Sequence, residues 1–137
     1  MADVLLKKFN SREEIEKFIP HGTDAIYIDS VESYKDMAIG YRYFKKNDKE
    51  FSGHFEHSPI LPGIFLIECM AQVSAFCSIN GFNPKYKILG INKVRFNKSV
   101  EPDSEVVFKS ISSGNGVFNC SAHVGQIKVA SLELITN

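Results

Sequence analysis

The chain has 137 residues, 16 basic and 16 acidic side chains, a formal charge of zero and 44% hydrophobic residues. That length fits a single domain spanning residues 1–137 with a real core, and the balanced charge supplies no global field to gather nucleic acid or an anionic membrane surface. The longest apolar run, Ile60 to Met70, is interrupted by Pro62, Gly63 and Glu68 and falls well short of the roughly 20 residues that span a bilayer, so membrane insertion is not expected.

The opening Met1-Ala2-Asp3-Val4-Leu5-Leu6-Lys7-Lys8 lacks the basic-then-apolar order of a secretory signal, which makes the cytoplasm the expected location. Ser11-Arg12-Glu13-Glu14 carries the spacing of a capping box and predicts a short helix, with Ile15, Phe18 and Ile19 on one face and Pro20 at its end. Ala25 to Tyr34 and Met37 to Phe44 read as a strand pair around a Lys35-Asp36 turn, with Ile26/Ile28 and Ile39/Tyr41/Tyr43 at strand spacing. Lys45 to Glu50 is polar and charged, as befits a surface connection.

Gly63 to about Asn80 predicts a long helix, apolar on nearly every side and therefore buried. Gly81 and Pro84 mark its end. Four β-rich segments follow: Tyr86 to Phe96, Ser104 to Ser112, Val117 to Val124 and Ile127 to Ile135, with Gly114-Asn115-Gly116 and Gly125-Gln126 as hairpin turns. Segregated helix and strands, without βαβ alternation, predict an α+β fold in which an antiparallel sheet wraps one central helix. Cys69, Cys77 and Cys120 are odd in number, and two lie in the apolar helical run. Reduced core thiols are expected, not a disulfide framework or a metal pair.

The chemistry-bearing stretch is Gly53 to Gln72. Glu68 and Gln72 stand four apart, which on a helix separates them by about 40° and puts them on one face. A carboxyl among apolar neighbours favours its protonated form, which suits a general acid, and Gln72 can orient it by hydrogen bonding. A structural core glutamate, satisfied by a backbone or lysine partner, is the competing reading. His54, in a Gly/Pro-bounded loop, offers an imidazole that can act as a base near neutral pH, although lone loop histidines are commonly surface residues. Gly63 opens the helix behind Pro62, where unpaired amides can receive a carbonyl oxygen gaining negative charge. A base, an acid and an oxyanion donor are the parts needed to remove water from a 3-hydroxyacyl group.

Gly53-His54-Phe55, Pro59-Ile60-Leu61-Pro62-Gly63 and Glu68-Cys69-Met70-Ala71-Gln72 together resemble the pattern of the 3-hydroxyacyl-acyl carrier protein dehydratases of bacterial type II fatty-acid synthesis. Ile19-Pro20-His21, Gly90 to Phe96 and Ala130 to Leu134 look like family segments too, so the resemblance covers nearly the whole chain. It implies a hotdog fold, with His54 and Glu68 as catalytic base and acid, and with Gly63, Gln72 and Phe55 as substrate-binding residues. It further implies a (3R)-hydroxyacyl thioester delivered on the phosphopantetheine arm of acyl carrier protein, a trans-2-enoyl product, and no metal or dissociable cofactor. Two protomers, identical or related, would pair their sheets side by side, each site combining His54 of one with Glu68 of the other; a higher oligomer is compatible.

The family pattern usually places Pro after His-Phe and often Gly next, where this chain has Glu56 and His57. Loss of that proline relaxes the loop, and an acid two residues from His54 alters its electrostatics. A specialised dehydratase, serving a polyene- or polyketide-like pathway, is therefore expected. His54-Phe55-Glu56-His57 also reads as an H-x-x-H, but the bracketing Gly and Pro deny it the helix that aligns metal ligands. Lys85, Lys87, Lys93, Arg95 and Lys98 form the densest basic stretch, with Lys93 and Arg95 the candidate docking residues for an acidic carrier and a lysine-protected strand edge the alternative. A hotdog thioesterase and a non-catalytic carrier-binding subunit are the competing functions.

Overall fold

The structure, a computed structural model, describes residues 4–19, 23–51, 59–77 and 87–137. Seven strands, β1 (Leu5–Phe9), β2 (Ser30–Tyr34), β3 (Met37–Phe44), β4 (Ile88–Phe96), β5 (Ser104–Gly114), β6 (Val117–Val124) and β7 (Ile127–Thr136), build one antiparallel sheet in the order β1-β2-β3-β5-β6-β7-β4. Among the described residues two α-helices accompany them, α1 (Arg12–Glu16) and α2 (Gly63–Ser74). Helix α2 lies across β3, β5, β6 and β7, so the sheet closes around it as the segregated order of elements predicts.

The short helix forms for the anticipated reason. The Ser11 hydroxyl accepts the Glu14 amide, and the Glu14 carboxylate turns back to accept the Asn10 amide at 2.6 Å. Arg12 then pairs with Asp29 at 3.1 Å, tying α1 to the approach of β2. The hairpins close where expected, with positive φ at Asp36, at Gly114, Asn115 and Gly116, and at Gly125.

Alternation along β5 buries Val106, Phe108 and Ser110 against α2 and leaves Lys109 and Ile111 outward. On β3 the inward set is Ala38, Gly40, Arg42 and Phe44, so Ile39, Tyr41 and Tyr43 ride the opposite, more exposed face. Gly40 is where the helix comes closest to this strand: a Cβ there would run into Val73 of α2 and meet Ile28 Cγ2 at 3.3 Å. Beneath the helix, Ser74 and Ser110 share a 2.7 Å hydrogen bond, and Ser74 also reaches Cys120, so these buried polar groups satisfy one another. Cys69, Cys77 and Cys120 are free, buried thiols, as expected.

Several expectations are corrected. Strand β1 carries no alternating pattern and escaped the reading, since only Phe9 of its five residues is buried. The predicted strand from Ala25 begins only at Ser30; Thr23–Ala25 is a 3-10 turn, and Ile26 and Ile28 are core residues of an irregular segment whose backbone bonds to side chains instead of a ladder. Helix α2 ends at Ser74, with a further turn to Cys77, and residues 78–80 of the predicted helix lie outside the described ones. Its burial is one-sided at the start: Ile64 is 65% exposed and Phe65, Ile67 and Glu68 are half-buried, because a single sheet covers one face. Lys45 to Glu50 is not wholly a surface link, since Glu50 is buried against Arg42. Strand β4 forms an edge of the sheet, every residue but Gly90 exposed, with a bulge near Lys93, which takes φ 55°.

Candidate active site

Helix α2 starts without a side-chain cap: Pro62 occupies the N-cap, and its fixed φ of −60° hands the chain into the first turn. The segment before it is strapped down by the Leu61 amide, which donates to the Val100 carbonyl oxygen at 2.8 Å. Gly63 sits where the Phe96 ring arrives from β4. A Cβ at residue 63 would stand 2.6 Å from the Phe96 ring, so glycine permits this contact. Ile60, Leu61, Gly63, Leu66, Phe96 and Val100 line a cleft of about 430 Å³ at this end of the helix. The first-turn amides of α2 therefore open beside a groove whose lining also includes the polar Asn97, Lys98 and Ser99.

One turn on, Glu68 and Gln72 share a face and touch, with Gln72 Nε2 donating to Glu68 Oε1 at 3.0 Å. Gln72 is itself held by main chain. Its Nε2 donates to the Ala25 carbonyl oxygen at 2.8 Å, and its Oε1 accepts the Tyr27 amide at 3.0 Å. Only one orientation of the amide satisfies an acceptor on one side and a donor on the other, so the network sets which end of Gln72 faces Glu68. Tyr27 packs its ring edge-on to Phe65, and its carbonyl oxygen lies 3.9 Å from Cys69 Sγ. Burial pushes the Cys69 thiol well above its ordinary range, which removes it as a nucleophile.

The structure thus brings Glu68 and Gln72 into contact, with Gly63 on the same helix and nearer its start. His54, Phe55, Glu56 and His57 lie outside the described residues, as does Gly53. Among the described residues no group of three or more His, Cys, Asp or Glu side chains is arranged to hold a metal ion, and no helix is long and apolar enough to cross a membrane. Lys93 and Arg95 are exposed on β4, away from α2, where they line an outer-face groove of about 540 Å³ with Lys128 and Glu133; Lys93 Nζ stands 3.9 Å from Glu133 Oε2.

Sequence reasoning missed the residues that hold Gln72 and the residue that meets Gly63. Ala25 and Tyr27 act through main-chain groups, which leave no mark in the side-chain pattern. Phe96 was read only as part of a strand. Arg42 did leave a signal, a charge at an inward register position between Gly40 and Phe44.

The ApeI-like family model, described as ApeI dehydratase, matches residues 30–131. A 3-hydroxyacyl-[acyl-carrier-protein] dehydratase FabZ of Clostridium botulinum (strain Loch Maree) is 33% identical over 139 residues, covering 95% of this chain and 96% of its own. The enzyme of the same name from Acinetobacter baumannii is 31% identical over 134 residues, covering 90% and 92%. Among solved structures, the dehydratase heterocomplex ApeI:P from Xenorhabdus doucetiae superposes with a TM-score of 0.64 over 99% of this chain and 98% of that one, at 14% identity. Cj0977, a sigma28-regulated virulence protein of Campylobacter jejuni, gives 0.65 over 92% and 88%, at 11% identity. Those two likenesses speak to the fold, which is the hotdog arrangement of a sheet wrapped on one main helix. The match over residues 30–131 and the relatives that span almost the whole chain lead to one assignment: the chain belongs to the ApeI-like dehydratase family.

Proposed function

We propose that the protein removes water from a (3R)-hydroxyacyl thioester carried on acyl carrier protein, leaving the trans-2-enoyl thioester. The observation that carries the reading is the Glu68–Gln72 contact, because Gln72 is anchored at both ends of its amide before it reaches the carboxyl. Gln72 Nε2 donates to Glu68 Oε1 and so orients the carboxyl, whose acid form delivers its proton to the departing C3 hydroxyl. His54 takes the proton from C2. The Gly63 amide at the uncapped start of α2 receives the thioester oxygen as charge builds on it, and the cleft beside it accommodates the arm or chain, with Phe55 contributing to binding.

Two copies, or one copy with a related chain, pair through β4 so that His54 of one meets Glu68 of the other. Support comes from the uncovered apolar side chains of Ile88, Leu89, Ile91, Val94 and Phe96 along an edge strand, and from Ile64 on the open side of α2. The basic residues Lys93 and Arg95, with Lys128 beside them, offer an acidic carrier a docking surface. The match to an ApeI dehydratase model is the support for a specialised member of the polyene or polyketide type.

The test offers the purified protein a panel of 3-hydroxyacyl carriers differing in length and unsaturation, following water loss by mass and the ultraviolet absorbance of the enoyl thioester. His54→Ala and Glu68→Gln should abolish turnover. Rates equal to wild type in both variants, or release of free acid and thiol instead of an enoyl thioester, would overturn the assignment.

A further inference from the structure

A guanidinium inside a sheet demands an explanation, because removing it from water is costly unless every donor finds a partner. Arg42 is 3% exposed at its inward position on β3. Its Nη2 donates to Glu50 Oε1 at 3.1 Å and to Asp48 Oδ2 at 3.2 Å, its Nη1 to the Tyr27 carbonyl oxygen at 2.9 Å and its Nε to the Tyr43 carbonyl oxygen at 3.3 Å. The guanidinium carbon also lies 4.4 Å from the centre of the Phe44 ring. Glu50, 5% exposed, has no role in the chemistry described above. Burial works against the Arg42 cation, but the carboxylates of Glu50 and Asp48 outweigh it and raise its pKa above the ordinary arginine value.

What this fork grips is informative. Ala25 to Ile28 belongs to no strand among the described elements. Three side chains meet the main chain of that segment: Arg42 of β3 takes the Tyr27 carbonyl oxygen at 2.9 Å, with the Cys69 thiol of α2 at 3.9 Å from the same oxygen, and Gln72 of α2 takes the Tyr27 amide and the Ala25 carbonyl oxygen. The nitrogen of Gln72 that bonds to Ala25 also bonds to Glu68. A continuous chain of hydrogen bonds therefore runs from Glu50 through Arg42, the Tyr27 main chain and Gln72 to the Glu68 carboxyl. An apolar side chain at residue 42 can fill the space, but it cannot define the direction of the Tyr27 carbonyl; the planar fork of arginine does.

We propose that the buried Arg42–Glu50 pair is a positioning device for the reaction: it fixes the Ala25–Ile28 segment, which fixes Gln72, which sets the orientation of the Glu68 carboxyl. The proposal rests on Glu68 being the catalytic acid. Arg42 and Glu50 touch no reacting atom in this account; they act through two intermediates.

The double variant Arg42→Met/Glu50→Leu tests it. Replacing a buried ion pair by apolar groups of similar volume is commonly neutral or stabilising, but the Tyr27 carbonyl oxygen loses its Arg42 donor, so the variant should fold with a Tm roughly 3–9 °C below that of wild type. Its kcat for a 3-hydroxyacyl carrier should fall by roughly 10- to 100-fold, the scale of a small misplacement at a reacting group, while KM holds because the Gly63 amide and the cleft beside it are untouched and Gln72 acts here by orienting Glu68. The side-chain amide resonances of Gln72, read by NMR, should move toward those of a free carboxamide. A folded double variant with wild-type kcat and unmoved Gln72 resonances overturns the proposal. Should the double variant not fold, Arg42→Lys, which keeps the charge and loses the fork, decides in its place: wild-type kcat counts against the proposal and a kcat loss at constant KM supports it. Glu68→Gln run alongside separates the two ideas, since full activity in that variant removes Glu68 as the acid while the Gln72 resonances still report on the hydrogen-bond chain.

Discussion

Replacing Gln72 with methionine removes an amide and keeps the length of the side chain. Gln72 is 3% exposed and supplies partners to the Tyr27 amide and the Ala25 carbonyl oxygen. Methionine fills nearly the same volume, so the cavity contribution is small and the cost falls on the two main-chain groups left without their partners. An unsatisfied buried donor or acceptor costs about 1–3 kcal/mol. The segment is only partly buried at these bonds, which places the pair in the lower half of the summed range, about 2–4 kcal/mol. For a domain of this size that corresponds to a fall in Tm of roughly 6–12 °C. Thermal unfolding followed by circular dichroism measures it. Glu68→Gln is the matched comparison, because a carboxamide oxygen at residue 68 still accepts from Gln72 and the position is half-buried; its Tm should stay near wild type while turnover is lost. A Gln72→Met protein that melts within about 2 °C of wild type would refute the reasoning, because the two main-chain groups would then have other partners and Gln72 would not be the anchor described.

Three further outcomes follow from other parts of the molecule. Gly40→Ala drives a Cβ into Val73 and against Ile28, and overpacking of this kind should destabilise the fold by about 1–3 kcal/mol, measured as a shift of the urea midpoint at unchanged m-value. Cys69, Cys77 and Cys120 are buried, and burial raises all three thiols, Cys77 to about 12; native protein should therefore resist iodoacetamide at pH 8, and urea should release all three to rapid alkylation, as counted by mass. His123 has its pKa lowered from the ordinary 6.5 by burial, then by Lys128 and Lys109. Below 6.5 the unfolded chain takes up a proton there that the folded chain resists, so this contribution to stability is lost as pH falls through the lowered folded value. His123→Gln should flatten that part of the stability profile, and an unchanged slope would exclude His123 as its source.

The strand–turn–strand end of the chain was legible because Gly114-Asn115-Gly116 and Gly125 demand positive φ and the flanking segments alternate. The long apolar helix was equally plain, and so were the three core thiols. Residues 25–28 were misread for a physical reason. Ile26 and Ile28 have strand spacing and are buried like strand residues, but their neighbours' main-chain groups bond to Gln72 and Arg42, and no side-chain pattern reports where an amide sends its hydrogen bond. On β3 the spacing of Ile39, Tyr41 and Tyr43 marks a strand without saying which face is inward; Tyr41 and Tyr43 point away from the core while Gly40 and Arg42 point into it. Of the candidate site, Glu68 and Gln72 were legible as a pair because helical periodicity alone puts them together. Their anchor was not, because it joins residues 45 and 47 positions apart. The open face of α2 was hidden for a different reason: an apolar side chain looks the same in sequence whether its own sheet or another chain covers it.

Strand β4 carries a consequence for how such a protein diversifies. The unpaired N–H and C=O groups along an edge are the same whatever side chains they carry, so the ladder they offer does not distinguish a second copy of this chain from a sister chain with a similar edge. Discrimination falls to a few positions: the exposed Ile88, Leu89 and Ile91, and the bulge at Lys93, which shifts the phase of side chains along the strand. After a gene duplication both daughters inherit the ladder unchanged. On the β4 pairing proposed above, a handful of substitutions on β4 would be enough to turn self-pairing into mixed pairing, and with the proposed composite sites one daughter could lose half of the chemistry while the pair kept a working site.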